Sequence, residues 1–360
     1  MSERYDHILV VDLLGGIGDL LLVLPVVHGL ARRNPGAALR VLTHQPGAEL
    51  LRGDPSVTEV LTPRHGRAGA ERAAVGEALA ARPPALAVTT TRYDGIPDLL
   101  AASGARCVTD LWRSPPPDEP VGERYLRILH EEGLLDRADL GVPPRVHLRP
   151  PERAGGRRVL AERLPAATAA AAGAAGTAPP VVLVTEAGMA VKRWAGPQWH
   201  RLAALLSARG HPLLTIGSLR IAAGLPLSLG SLRQLGAFFA AVGEQGGVVV
   251  GADTGPVRLA SAVGARTVAL FGPTLAERYG IGGPAGSGLD LQGLADCPHR
   301  QPTAITEQPC WWTAQCPLSE AGPACLAELS PEAVADAVTE LAAGAPGPSS
   351  RPVPTPVSRT

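Results

Sequence analysis

Apolar positions along the chain alternate between short aliphatic runs and longer stretches of helical period. HILVVDLL (7–14) is a mostly aliphatic run bounded by glycines, the pattern of a strand buried on both faces of a parallel sheet. GDLLLVLPVVHGLARR (18–33) has the length and one-sided apolar face of a helix. ALRVLTH, VTEVLTP and ALAVTTT follow as further short strands. VGERYLRILHEEGLL (121–135) is predicted to be an amphipathic helix, with Tyr125, Leu126 and Leu129 on its apolar side and Glu123, Arg127 and Glu131 opposite. Strands alternating with helices imply a doubly wound parallel sheet.

Residues 137–180 break this rhythm with PPRVHLRPPERAGG, an alanine-rich stretch and GTAPP, which predicts a connection between domains. A second alternating set starts at PVVLVTEAG (180–188). It runs through the helix-like WHRLAALLSARG, the strand PLLTIGS, the helix-like SLRQLGAFFAAV and the strands GVVVGADTG and RTVALFGPT. SPEAVADAVTELAAG (330–344) opens with an N-cap serine, a proline at the first helical position and an early glutamate. The pattern predicts two similar α/β domains of the Rossmann type facing each other across a cleft, and a disordered Pro/Ser-rich tail at 345–360.

Composition narrows the function. The 360 residues carry 33 basic and 33 acidic side chains, a net charge of zero, with no basic block. Nucleic acid is therefore a poor candidate partner. No run reaches the roughly 18 apolar residues of a membrane span, and the first residues lack the layout of a secretion signal. The expectation is a cytoplasmic monomer, either free or peripheral at the inner membrane. Lys192 is the one lysine in the chain; in a sequence that otherwise uses arginine, it marks a position where a compact ammonium differs from a planar guanidinium.

Three loops carry candidate chemistry. LLGGIGDLLL places Gly16 and Gly18 between the first strand and first helix, where ligands bind in open α/β sheets. The spacing fits neither the dinucleotide fingerprint nor a P-loop. Asp19, in the first helical turn, can complement the helix dipole or take a proton from an attacking hydroxyl. EAGMAVKRWAGPQWHRLA puts Lys192 shortly before a helix start, a clamp for phosphate; Trp194 reads as packing. VVVGADTGPVRLA ends a strand in Asp253, Thr254, Gly255 and Pro256, with Arg258 one turn on. Such a loop can cradle a diphosphate or be a plain N-cap with proline at the helix start; FGPT (271–274) has similar form.

In their order along the chain these stretches resemble glycosyltransferase family 9, the heptosyltransferases related to lipopolysaccharide core assembly. The resemblance also takes in GERYLRIL, LSLGSLRQLGAFFAAV and the closing CLAELSPEAV. It implies a GT-B fold, with an acceptor-binding domain at 1–165 and a nucleotide-sugar domain at 180–344. It further implies Asp19 as catalytic base, and Lys192 with the Asp253–Thr254–Gly255–Pro256 loop on the diphosphate of an ADP-sugar. The implied reaction is an inverting transfer of a heptose-type sugar to a glycan or natural-product hydroxyl, with no metal and no cofactor beyond the donor. Two features depart from the family pattern. Arg258 stands where the family has histidine, and residues 219–226 are too short for the usual extra helix and strand beside the nucleotide. The acceptor stays open between envelope glycans and secondary metabolites.

A nucleotide-sugar epimerase or dehydrogenase would need a G-x-G-x-x-G turn and a Tyr-x-x-x-Lys pair, and the chain has neither. A catalytically inactive GT-B nucleotide-sugar-binding protein is the remaining alternative. Cys297, Cys310, Cys316 and Cys325 are separated by 12, 5 and 8 residues, which is not a zinc-ribbon spacing, so they read as free or packed thiols before a metal site. Cys107 reads as core. Arg92, Tyr93 and Arg113 sit at strand ends and are candidates for acceptor contact.

Overall fold

A computed structural model of the protein describes residues 4–64, 68–113, 116–170, 178–281, 287–344 and 351–352. The chain divides into two units, 1–149 and 150–360.

The first unit runs β1 (His7–Asp12), α1 (Ile17–Arg33), β2 (Ala38–Thr43), β3 (Glu59–Leu61), α2 (Ala70–Ala81), β4 (Leu86–Thr89), α3 (Ile96–Ala101), β5 (Arg106–Val108) and α4 (Val121–Glu131). Its five strands are parallel, in the order β3-β2-β1-β4-β5. The aliphatic run of β1 is central, which is why it is apolar on both faces: Ile8, Leu9, Val10 and Val11 are all fully buried. On α4 the predicted face of Tyr125, Leu126 and Leu129 is buried, while Arg127 pairs with Glu119 and Glu131 on the outer side. The short, weakly periodic α2 and α3 lie outside the elements predicted from the sequence.

The second unit runs α5 (Pro150–Ala170), β6 (Val181–Val184), α6 (Gly196–Ala208), β7 (Leu213–Ile216), β8 (Gly224–Pro226), α7 (Leu232–Glu244), β9 (Val248–Ala252), α8 (Gly255–Ala262), β10 (Arg266–Phe271), α9 (Ala276–Tyr279), β11 (Gly288–Gln292), α10 (Ala324–Ala327), α11 (Pro331–Ala342) and β12 (Arg351–Pro352). Seven parallel strands follow the order β12-β11-β10-β9-β6-β7-β8. Ser330 caps α11 through its hydroxyl, as its N-cap signature requires.

Three differences from the sequence expectation have physical causes. Within the expected connection at 137–180, Pro150–Ala170 form the helix α5, which belongs to the second unit, so the boundary falls at 149/150 rather than 165; residues 171–177 lie outside the described residues. A Cβ on Gly156 would lie 2.1 Å from the Ala237 carbonyl oxygen of α7, so the two helices cross with backbone against backbone. Arg233 grips Glu152 with two 2.6 Å hydrogen bonds, and Arg157 pairs with Glu244 at 2.7 Å. Second, the short 219–226 segment keeps a strand, β8 on β7, and among the described residues lacks a helix before it. Third, Arg351–Pro352 of the expected disordered tail pair with Leu291 and Gln292; the tail's 345–350 and 353–360 lie outside the described residues. Among those residues, no helix is long and apolar enough to cross a membrane.

Candidate functional sites at the two sheet switch points

Strand order reverses once in each sheet, and at such a point the loops leaving neighbouring strands diverge and open a crevice at their carboxyl ends. In the first unit the reversal lies between β1 and β4, and in the second between β6 and β9. All the candidate loops leave these strands.

In the first unit, Gly15 has a left-handed φ of +98° and turns the chain into α1. Gly16 is the N-cap, Gly18 the second helical residue, and Asp19 the third. A Cβ on Gly16 would stand 2.7 Å from Asp19 Oδ2, so the half-buried carboxylate folds back over the helix start. The dipole-complementing geometry is therefore present, and it leaves the carboxylate beside the turn that opens the crevice.

Asp12 is a residue the sequence reading missed. It ends β1, is 1% exposed, and accepts a 2.6 Å hydrogen bond from the Thr90 hydroxyl just beyond β4. Burial, then the nearby charge of Asp19, push its carboxyl up to about 7, against the Thr90 hydrogen bond, which lowers it. The signal was available, since an acid within an otherwise aliphatic buried strand calls for an explanation. The floor of the turn is tied to β4 by further bonds. Leu13 N–H donates to Thr91 Oγ1 at 2.9 Å, and the Tyr93 hydroxyl donates to the Leu13 carbonyl. Arg92 stacks over Trp112, and Arg113 pairs with Glu132 at 2.8 Å. Of the three acceptor-contact candidates, Tyr93 thus lines the β1 turn, whereas Arg113 is engaged with α4's end.

In the second unit, Lys192 and Asp253 meet as the switch point requires. Lys192 Nζ lies 2.7 Å from Asp253 Oδ2, and Arg258 Nη2 lies 2.7 Å from Oδ1. Thr274, of the FGPT stretch, donates its hydroxyl to Oδ2 at 2.9 Å. Burial alone would raise the Asp253 carboxyl, but Lys192 and then Arg258 outweigh it and hold it well below the ordinary carboxylate range. The trio carries one net positive charge. Arg258 also donates to the Tyr279 and Gly280 carbonyls; the residue is 8% exposed, and its guanidinium braces the end of α9. Lys192 is the more exposed cation, its side chain 18% open.

Thr254 is the N-cap of α8, yet its side chain makes no capping bond, and Oγ1 is buried without a hydrogen-bond partner among the described residues. The plain N-cap reading therefore fails for Thr254. Gly255 and Pro256 form the first turn. Close packing holds this helix against its sheet: a Cβ on Gly251 would sit 2.5 Å from Val257.

Trp194 is buried against Trp199, edge to face at 4.9 Å, and donates to the Leu326 carbonyl, so it packs as expected. Val191, Cys310 and Trp311 form a small apolar cluster under the Lys192 loop, with the ammonium 5.5 Å from the Trp311 ring centroid. That contact is not legible from sequence, because over a hundred residues separate the two. All five cysteines are free thiols. Burial raises Cys310, which Cys316 and Cys297 neighbour, and pushes Cys325 up to about 12.

Residues 150–290 match the family model described as glycosyltransferase family 9 (heptosyltransferase). Among solved structures, a family 9 glycosyl transferase from Veillonella parvula is 16% identical with a TM-score of 0.68, covering 95% of this chain and 99% of that one. An Escherichia coli ADP-heptose lipopolysaccharide heptosyltransferase II is 18% identical at a TM-score of 0.64, covering 94% and 98%. A dodecameric, iron-containing glycosyltransferase from enterotoxigenic E. coli is 16% identical at 0.60, covering 95% and 77%. At these identities the likeness is one of fold. No protein with a curated description matches the sequence. The two parallel-sheet α/β units thus share the fold of these heptosyltransferase structures, and residues 150–290 carry the match to the glycosyltransferase family 9 (heptosyltransferase) model.

Proposed function

We propose that the protein transfers a sugar, with inversion, from an ADP-heptose-type donor to a hydroxyl of a glycan or natural-product acceptor. The observation that carries this reading is the Lys192–Asp253–Arg258 trio beside the start of α8. It places a cation, the first-turn amides of a helix and the unpartnered Thr254 hydroxyl at one crevice, a donor set suited to a diphosphate.

Roles within the trio differ. Asp253 is an anion held between two cations, so it positions Lys192 rather than touching phosphate. Arg258 is buried and committed to Asp253 and two carbonyls, so it braces the same carboxylate from below. Lys192, Thr254 and the amides of Gly255 and Val257 are left for the donor; Pro256 has no amide to offer. Such a site stabilises the charge that gathers on the departing diphosphate without a metal. In the first unit, Asp19 takes the proton of the acceptor hydroxyl as its oxygen bonds to the anomeric carbon. The bond from that carbon to the diphosphate oxygen breaks on the opposite face, and ADP leaves with the electron pair. Some E. coli relatives are described with ADP or as ADP-heptose enzymes, which supports adenine diphosphate as the donor's leaving group.

The test is mass analysis of products formed from ADP-heptose with hydroxyl acceptors, set beside the ADP affinity of the same preparation. A sugar-bearing product with loss of ADP is expected. ADP binding without turnover on any acceptor would favour a nucleotide-sugar-binding protein, and absence of ADP binding would end the donor assignment.

A further inference from the structure

Outside the candidate loops, three metal-type side chains of the first unit converge. His28 comes from the middle of α1, Asp54 from the loop before β3, and His147 from the segment that ends the unit. One ligand atom from each lies within 4.8 Å of the other two. We propose that these three residues bind a zinc-type divalent cation, which fastens the 146–149 segment to α1.

The donor set is chemically apt. Two imidazoles and one carboxylate, with water in a fourth position, are a recurrent tetrahedral zinc set. Ligand atoms about 2.0–2.1 Å from a tetrahedral ion stand roughly 3.3 Å apart, so closing on an ion takes shifts on the order of 1 Å. Burial is graded as a binding site needs. His28 and Asp54 are buried at 6% and 4% exposed, and exposed His147 leaves an entry path.

The surrounding chain fixes the ligands. Ser56 N–H donates to Asp54 Oδ1 at 2.9 Å, leaving Oδ2 toward His28 Nε2, 2.8 Å away; this outer contact orients the carboxylate. His147 is brought in by its neighbours: Val146 is buried, and the Arg149 stem lies across Gly53, where a Cβ would meet it at 3.3 Å. Gly53 also has a left-handed φ of +77°. The His147 ring stands edge-on to His28 with centroids 5.4 Å apart. Without an ion, His28 and Asp54 share a hydrogen bond; on binding, His28 turns its Nε2 lone pair to the cation and carries its proton on the other ring nitrogen.

The experiment uses the full chain stripped with a chelator and titrated with Zn²⁺ against a chromophoric competitor, alongside His147→Ala and Asp54→Asn. His147→Ala removes an exposed ligand, and Asp54→Asn keeps the hydrogen-bonding shape while removing the charge, so both variants should fold. The wild type should bind one equivalent more than His147→Ala, or at least tenfold more tightly, and Asp54→Asn should weaken the same equivalent. Zn²⁺ should raise the melting temperature of the wild type and not that of His147→Ala. Co²⁺ in this site should give ligand-field bands without thiolate charge transfer. Equal uptake by wild type and His147→Ala, no stoichiometric uptake, or a Co²⁺ spectrum wholly of thiolate type would overturn the proposal and leave a buried His28–Asp54 hydrogen bond.

Discussion

The two switch points share one topology and carry opposite charge. At the end of β1, Asp12 lies buried within reach of the Asp19 charge, and a threonine hydroxyl is its hydrogen-bonding partner. Just past β9, Asp253 is as deeply buried but sits between Lys192 and Arg258. Burial penalises both carboxylates alike; what differs is the sign of the neighbour. A second anion drives Asp12 toward its neutral form, and two cations fix Asp253 as an anion. The parallel sheet supplies the same strand reversal in both places, and the local charge sets them apart.

The largest effect should come from the anionic side. Asp19→Asn removes the proposed base and should lower kcat by about 10²–10⁴-fold while ADP affinity stays within about twofold, because the lost group acts only in the transition state. Turnover at the parental rate would separate the switch-point geometry from catalysis. On the cationic side, Asp253→Ala strands the buried Arg258 and the part-buried Lys192, and the expected loss is about 3–5 kcal/mol of stability in denaturant unfolding. A loss under about 1 kcal/mol would mean that Lys192 and Arg258 reach water easily and that the trio is not a pre-built cradle.

Much of this contrast was legible in the chain. Runs such as HILVVD and VVVGAD announce buried parallel strands, and a glycine-marked loop after each of them locates the crevices. The lone lysine and the D-T-G-P turn stand out in the sequence, and the fold brings Lys192 and Asp253 together. What stayed hidden was the pairing across distance. Nothing local says that Thr274 and Arg258 converge on Asp253, or that Trp311 lies beneath Lys192. Arg258 looked like a phosphate ligand because its helical spacing from Thr254 is right; its burial and its bonds to Tyr279 and Gly280 make it a brace. The helix α5 was obscured by the prolines and glycines around it, and its attachment to α7 depends on Gly156 and on ion pairs some eighty residues apart.

Lys192 sharpens the comparison from the ligand side. Truncation to alanine removes a charge-assisted contact of about 1.5–3 kcal/mol, so ADP affinity in calorimetry should fall about 10–100-fold. Lys192→Arg should recover only part of it, since a planar fork cannot occupy the ammonium's place beside Trp311. Full recovery would assign the lysine to generic charge rather than to fit.

The smallest expected effect is the most direct test of the opposed electrostatics. Asp12 is pushed up to about 7 in the folded protein, whereas an unfolded aspartate titrates near 3.9. A carboxyl raised on folding contributes stability that is complete below about pH 4 and is lost as pH rises through about 7. Asp253, held low, behaves the other way: its contribution is complete above about pH 4 and is lost progressively as pH falls below that. Asp12→Asn keeps an oxygen for the Thr90 hydroxyl and cannot ionise. Between pH 6 and pH 8 the wild type should therefore lose about 1.4 kcal/mol relative to Asp12→Asn, followed by urea unfolding at each pH. A pH-independent difference between the two proteins would mean that Asp12 is already ionised at pH 6, and the two switch points would then differ only in which cations stand nearby.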